Sequence, residues 1–195
     1  MGCCFAMTVL GIFGSPRRNG NSDILLEVLL KEVEKLGAPV KRIYASELKI
    51  APCTECNSCS STGMCVIEDD MQEVYREIEN ANSIIVSTPV FFYNVPAQLK
   101  CLIDRAQAMW ARKYILGVKF EKRKGFLIAI GATSGEKLFD GVRMTVKYFF
   151  DAIGAEYDGE LLVRGVEGKG EILTHYDAIS SAKELAFKVV QGKKM

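Results

Sequence analysis

Four of the chain's seven cysteines stand in the stretch Cys53-Thr-Glu-Cys56-Asn-Ser-Cys59-Ser-Ser-Thr-Gly-Met-Cys65, with the spacing C-x2-C-x2-C-x5-C. A disulfide needs particular Cα separations and Cβ directions, so thiols two residues apart cannot all pair with one another. They can converge on one compact polynuclear centre, and the spacing points to metal before it points to a disulfide. Zinc competes, because four thiolates close a tetrahedral structural site. Zinc sites usually present two C-x2-C clips divided by a longer spacer, however, whereas here three candidate ligands form one continuous run. An air-oxidised disulfide form and an empty site stay open beside these.

A second chemistry lies in Gly14-Ser15-Pro16-Arg17-Arg18-Asn19-Gly20-Asn21-Ser22. Small residues let a ligand approach the backbone, hydroxyls and amides donate hydrogen bonds, and a helix N-terminus adds partial positive charge, which together suit a phosphate. Arg17 or Arg18 would add a charge-assisted fork to the anion. No Gly-Lys-Ser/Thr follows and the pattern is not G-x-G-x-x-G, so a single terminal phosphate is favoured over a triphosphate or a dinucleotide held in the usual way. The competing reading is a polar turn that only caps a helix.

Pro89-Val90-Phe91-Phe92-Tyr93-Asn94 offers flat aromatic surface and backbone amides, on which a planar heterocycle stacks and bonds. For any single ring among them, a core or interface role is the better reading. Taken with the first loop, the pair suggests a flat ligand with a phosphate tail, and flavin mononucleotide (FMN) fits. No Ser-His-Asp or Cys-His arrangement is present. His175, the one histidine, is expected to be solvated or to cap a helix, and Cys101, opposite the apolar face of its helix, is expected to be a bystander.

The elements that must position these loops follow from periodicity. Met7 to Phe13 is a continuous apolar run, the pattern of a strand buried on both faces of a parallel sheet. Asn21-Ser22-Asp23 supplies a helix cap, and Ile24, Leu25, Val28, Leu29 and Val33 recur at helical spacing. Val40 to Tyr44 is a second strand, followed by an excursion over 45–67 that carries the cysteines; a loop of this length inside one domain is usually functional or disordered. Met71, Val74, Tyr75 and Ile78 mark a helix, and Ser83 to Ser87 a third strand. Pro96 opens a helix with Leu99, Leu102, Ile103, Ala106, Met109 and Trp110 on one face. The basic segment from Lys113 to Lys124 is expected to be mobile over a site. Gly125 to Gly131 is a fourth strand, Leu138 to Ile153 a helix, Glu160 to Val166 a fifth strand, and Thr174 to Val190 a final helix.

The repeating order predicts an α/β doubly wound parallel sheet of five strands in the order 2-1-3-4-5, with a long cysteine-bearing loop after strand 2. Ligands of such sheets lie at the carboxyl ends of the strands, at the switch point, where Ser15 to Ser22, Pro89 to Asn94 and Gly131 to Glu136 should meet. Residues 1–195 are expected to form one domain.

A formal net charge of +1 provides no broad basic field for nucleic acid. No apolar run is long enough to cross a bilayer, and no targeting segment is visible. Met1-Gly2-Cys3-Cys4 looks like an acylation start, but Ala6 stands where that pattern wants Ser or Thr, so Cys3 and Cys4 are expected to be a structural lead-in. A cytoplasmic location follows as an expectation, and in a reducing compartment clustered thiols are more often metal ligands or redox groups than bridges.

G-S-P-R-R-N-G-N-S followed by S-T-P-V-F-F-Y-N-V-P-A-Q-L-K-C-L-I-D-R resembles the NADPH-dependent FMN reductase superfamily of flavodoxin-like proteins. With four cysteines between these motifs, the chain is similar to the iron-sulfur flavoproteins of archaea and anaerobic bacteria, over about Thr8 to Arg112. The resemblance implies one FMN and one [4Fe-4S] cluster per chain, in a homodimer or homotetramer. It implies that Ser15, Arg17, Asn19, Asn21 and Ser22 bind the phosphate, that Pro89, Val90, Phe91, Phe92, Tyr93 and Asn94 bind the ring, and that Cys53, Cys56, Cys59 and Cys65 hold the cluster. It implies further that the Gly131 to Glu136 turn flanks the ring and that the Asp104-Arg105 pair is structural rather than catalytic.

The residues support iron-sulfur independently, since thiolates bind such clusters and a C-x2-C-x2-C run resembles the ferredoxin pattern. In two-cluster ferredoxins the fourth cysteine serves the other cluster; here no second set exists, and Cys65 must close the same site. The expected function is a flavin-dependent oxidoreductase that passes electrons between a one-electron carrier such as ferredoxin and a two-electron donor or acceptor, with no acid-base residue required. Two alternatives are an NAD(P)H-dependent FMN or quinone reductase without a functional cluster, and a non-catalytic, zinc-stapled binding module.

Overall fold

The apolar run after Met7 folds as β1 (Val9–Phe13), buried at every position, and takes the second place in a five-stranded sheet of order β2-β1-β3-β4-β5. The computed structural model describes residues 7–191, so Cys3, Cys4 and Ala6 of the expected lead-in lie outside the described residues. β2 (Val40–Tyr44) and β3 (Ser83–Pro89) flank β1, with Val9 opposite both Val40 and Ser83. β4 (Arg123–Gly131) follows β3, and β5 (Ala155–Arg164) closes the far edge. All four pairings are parallel, which is the flavodoxin-like doubly wound order the β-α alternation predicts.

Successive strand residues point to opposite faces, so the central strands feed two cores. Val9, Phe13, Ile85, Phe126 and Ile128 pack beneath α1 (Asn21–Lys35) and α7 (Tyr176–Val190), where Leu25, Leu26, Leu29, Leu30 and Val33 line the inner face of α1. Leu10, Ile12, Ile84, Val86, Leu127 and Ala129 face the other way, into a cluster built with α3 (Met71–Asn80), α4 (Ala97–Arg105), α5 (Gln107–Tyr114) and α6 (Asp140–Ala152). Each fully buried aliphatic side chain contributes about 1.5–3 kcal/mol, and the two faces together fix the register of every central strand.

Three departures from the sequence reading have local causes. β5 begins at Ala155 and ends at Arg164 rather than spanning Glu160 to Val166, because an edge strand is only half covered and its residues Glu156 to Asp158 carry no apolar run. The single helix expected from Pro96 divides at Ala106. There the Tyr75 hydroxyl donates to the Arg105 carbonyl at 2.6 Å, and the Met109 N–H bonds instead to Ala106 O at 2.9 Å. Trp110, expected on the apolar face, is partly exposed. Finally, the Lys113 to Lys124 segment is no free lid. Lys113 Nζ donates to Asp151 O at 2.7 Å and to its Oδ1 at 2.9 Å, and the segment leads into the amino end of β4, the edge opposite the phosphate loop.

Candidate functional site

β1 ends at Phe13, and the chain turns through residues 14–20 onto the first turn of α1. Asn21, Ser22 and Asp23 are not a cap preceding the helix, as the sequence reading had them; they are its first turn, and Gly20 holds the N-cap position with no side-chain cap bond. The first-turn N–H groups of a helix lack intrahelical partners and carry its positive dipole end. Ser22 is 2% exposed and its Oγ has no hydrogen-bond partner, an unmet donor and acceptor at the spot where an anion would sit.

The cavity beside it, of about 310 Å³, is lined by Ser15, Arg17, Gly20, Asn21 and Ser22 from this loop, by Pro89, Val90 and Phe91 from the end of β3, and by Ile130, Ala132, Val166 and Glu167. Of the two arginines, Arg17 is the one that reaches it. Arg18 lies over the Tyr44 ring, 3.3 Å from its centroid, and pairs with Glu47 at 3.3 Å. Ser15 Oγ donates to Arg17 O at 2.8 Å, which shapes the turn. The Asn21 side chain is committed elsewhere: its Nδ2 donates to Gly168 O at 2.8 Å and its Oδ1 accepts from Gly170 N at 2.9 Å, tying the loop after β5 to α1. Asn19, with φ 56°, lines a neighbouring hollow together with Asp23. Burial pushes the Asp23 carboxyl up to about 6 against the pull of the Asn19 and Gly20 N–H groups and of Arg18.

The Pro89 to Asn94 segment is a tight hairpin. Phe91 and Asn94 exchange two backbone bonds of 2.8 Å, and the central pair, Phe92 and Tyr93, have φ of 49° and 61°. Two bulky residues in left-handed conformations carry strain that Asn-Gly would avoid, and such strain collects at functional sites. Packing holds the turn in place: a Cβ on Gly141 of α6 would lie 2.3 Å from the Tyr93 carbonyl oxygen, and Thr145 Oγ1 donates to Asn94 Oδ1 at 3.0 Å. Only Pro89, Val90 and Phe91 of the six expected ring residues line the cavity; Phe92 is fully exposed at the tip, Tyr93 is half exposed, and Asn94 secures the turn.

The cysteine excursion after β2 is extended except for one short helix, α2 (Ser58–Thr62). Cys53, Cys56, Cys59 and Cys65 all line one cavity of about 390 Å³, with Val66, Ile67, Asp104, Arg105, Gln107 and Ala108 behind them, and all four thiols are free. Cys101 does not line it. Among the described residues no three His, Cys, Asp or Glu side chains are grouped to hold a metal ion as they stand. The backbone is left-handed at Glu55 and Asn57, with φ of 54° and 60°. The Ser58 N–H and hydroxyl hold the Cys56 thiol below the usual range, whereas burial pushes the Cys59 thiol up. Gly63, at φ 71°, ends α2 where a Cβ would meet Arg112 Cγ at 2.6 Å, so α2 lies directly on α5.

The neck of the excursion is closed by Arg105, which is 1% exposed. Its Nη1 donates to Ala51 O at 2.8 Å and Asp69 Oδ2 at 2.7 Å; its Nη2 donates to Ile67 O and Asp69 Oδ1, both at 3.2 Å. One side chain thus joins the chain entering the cysteine segment to the chain leaving it. Sequence reasoning missed Val166 and Glu167 at the first cavity and the α4–α5 wall at the second. The one available signal was a charged residue, Arg105, at core spacing between Leu102 and Met109.

A family model described as NADPH-dependent FMN reductase matches residues 7–137. The chain is 43% identical over 99 residues to a protein of Archaeoglobus fulgidus named iron-sulfur flavoprotein, an overlap of 51% of this chain and 45% of that one. It is 33% identical over 127 residues to the iron-sulfur flavoprotein of Methanosarcina thermophila, covering 65% of this chain and 64% of that one. It thus spans less than two thirds of these relatives' length. Among solved structures, an NAD(P)H:quinone oxidoreductase from Methanothermobacter marburgensis superposes with a TM-score of 0.72 at 16% identity, over 97% of this chain and 99% of that one. An FMN-dependent NADH-azoreductase from Bacillus anthracis, in complex with FMN, gives 0.69 at 15% identity over 94% and 100%; at such identities the likeness is one of fold. The family match runs from β1 through the turn after β4 and takes in the loop after β1, the hairpin and the cysteine excursion: the chain belongs to the NADPH-dependent FMN reductase family.

Proposed function

We propose that this protein is a flavin-dependent oxidoreductase carrying FMN and a [4Fe-4S] cluster, which passes electrons between a one-electron carrier such as ferredoxin and a two-electron donor or acceptor. The observation that carries the reading is the convergence of Cys53, Cys56, Cys59 and Cys65 on one cavity beside a flavodoxin-like sheet. The donor set fits a cluster in kind, since four free thiols line a shared volume and thiolates are the usual ligands of such clusters.

FMN fits the other cavity. The uncapped first turn of α1 and the unpartnered Ser22 Oγ would hold its phosphate, Arg17 would pair with the charge, and Pro89, Val90 and Phe91 would flank its ring. The flavin takes one or two electrons and the cluster one, so the two cofactors supply the redox chemistry. The chain's residues bind, orient and exclude water: the apolar wall of Val90, Ile130 and Val166 keeps the ring site dry on one side, and Arg105 holds the cysteine segment closed. A homodimer or homotetramer, with cluster and flavin supplied to each other by adjacent subunits, belongs to this reading, as does a ferredoxin-like partner.

The test is purification without oxygen followed by iron, sulfide, zinc and flavin analysis, with Cys59→Ala as control. Iron, sulfide and FMN in the native chain, and loss of iron with FMN retained in Cys59→Ala, are expected. Zinc without iron or flavin would overturn the proposal. Family membership favours a second reading, an NAD(P)H-dependent FMN or quinone reductase without a functional cluster; rapid anaerobic bleaching of the flavin by NADPH in an iron-free chain would select it.

A further inference from the structure

The loop after β5 forms one wall of the flavin cavity. Gly165 and Gly170, left-handed at φ 70° and 83°, bound it, and between them Val166 and Glu167 line the cavity. The Val166 N–H bonds to Gly131 O, at the carboxyl end of β4, at 3.3 Å. Two side chains hold the residues that follow. Asn21, buried in the first turn of α1, donates from Nδ2 to Gly168 O at 2.8 Å and accepts at Oδ1 from Gly170 N at 2.9 Å and from Ile172 N at 3.3 Å. Glu171 Oε2 accepts from Glu167 N at 2.9 Å and from Gly168 N at 2.7 Å, and Glu171 does not itself line the cavity. The segment that walls the cavity is thus clamped once from the phosphate-loop side and once from behind.

We propose that Asn21 and Glu171 are positioning residues that hold Val166 and Glu167 against the part of the flavin common to FMN and riboflavin, and that the Asn21 side chain serves this wall rather than the phosphate. The proposal rests on the FMN reading of the cavity. A valine side chain suits the uncharged part of a ligand, and a carboxylate repels a phosphate placed beside it, so neither wall residue belongs at the anion. A wall fixed before the ligand arrives spares the free energy of ordering it on binding. With either clamp removed, glycines at both ends give the loop the backbone freedom to leave its position. The phosphate keeps the Asn21 main-chain N–H, one of the first-turn donors without an intrahelical partner, whichever side chain stands there.

The experiment is fluorescence titration of the full chain, stripped of flavin, with FMN and separately with riboflavin, for native protein, Asn21→Ala and Glu171→Ala, each beside its urea unfolding midpoint. Both substitutions are expected to weaken FMN and riboflavin by the same factor, about tenfold, whereas loss of a phosphate ligand weakens FMN alone. A role confined to stability moves the midpoint and leaves both affinities of the folded chain where they were. Asn21→Ala that weakens FMN and binds riboflavin as the native chain does overturns the proposal and leaves the FMN reading standing, and so do native affinities for both flavins in a folded Asn21→Ala. If Asn21→Ala does not fold, or riboflavin binds the native chain too weakly to titrate, Glu171→Ala decides with FMN: a weakening of about tenfold supports the proposal, and native affinity overturns it. A native chain that binds neither FMN nor riboflavin overturns both.

Discussion

Arg105 meets Asp69 through two prongs, Nη1 to Oδ2 at 2.7 Å and Nη2 to Oδ1 at 3.2 Å, across the neck of the cysteine excursion. The Asp69 carboxylate also accepts the N–H groups of Ala51, at 2.9 Å, and Met71, at 3.0 Å, so it joins the incoming chain, the outgoing chain and the start of α3. Removing one partner from a buried pair costs about 3–5 kcal/mol because the other charge is left unpaired. Asp69→Ala should lower the urea unfolding free energy by about 3 kcal/mol at neutral pH on this basis. Burial pushes the Asp69 carboxyl up, but Arg105 and the two N–H groups outweigh it and hold it below the ordinary 3.8. A depressed value means the stabilisation is present above 3.8 and is lost as pH falls through the lower folded value, so native and variant unfolding curves should converge in acid.

Ser22 separates phosphate recognition from folding. Its Oγ bonds nothing in the folded chain, while its carbonyl oxygen accepts from the Ser87 hydroxyl at 2.8 Å and would survive substitution. Ser22→Ala should leave the unfolding midpoint unchanged and weaken FMN about tenfold, the loss of one hydrogen bond to a charged group at about 1.5 kcal/mol. Flavin fluorescence titration measures this directly. Riboflavin, which lacks the phosphate, should bind native chain and variant alike.

The hairpin at Phe92 and Tyr93 trades stability for shape. Phe92 is fully exposed and left-handed, so Phe92→Gly removes backbone strain at the cost of no packed contact. It should raise the unfolding free energy by about 1 kcal/mol in thermal or urea denaturation. Gly141→Ala should act in the opposite sense, since its Cβ would meet the Tyr93 carbonyl oxygen at 2.3 Å and backbone cannot move aside as a side-chain end can. A loss of about 1–3 kcal/mol is expected for such overpacking, together with weaker flavin binding at the displaced turn.

Asp23 predicts a pH dependence of the other sign. Its folded value of about 6, raised chiefly by burial above 3.8, means that the stability it contributes is present below 3.8 and lost as pH rises through about 6. Asp23→Asn keeps an acceptor for the Asn19 and Gly20 N–H groups without the charge. Urea midpoints on either side of pH 6 should fall with rising pH in the native chain more steeply than in the variant.

Periodicity along the chain was enough for the strand order, for β2 at its observed bounds and for the inner face of α1, because those features depend on which residues alternate or recur within one element. The same local reading picked out the loop after β1, which lines the first cavity, and grouped four cysteines that the structure gathers at another. Tertiary structure alone decided the rest. Arg17 rather than Arg18 reaches the first cavity, because Tyr44 and Glu47, on the neighbouring strand and the turn after it, hold Arg18 away. The helix from Ala97 divides because Tyr75 captures the Arg105 carbonyl from another helix. Arg105 is buried against partners that lie 36 to 54 residues earlier in the chain. A side chain's burial and its hydrogen bonds depend on groups that folding brings near, and no pattern of neighbours in sequence records which groups those are.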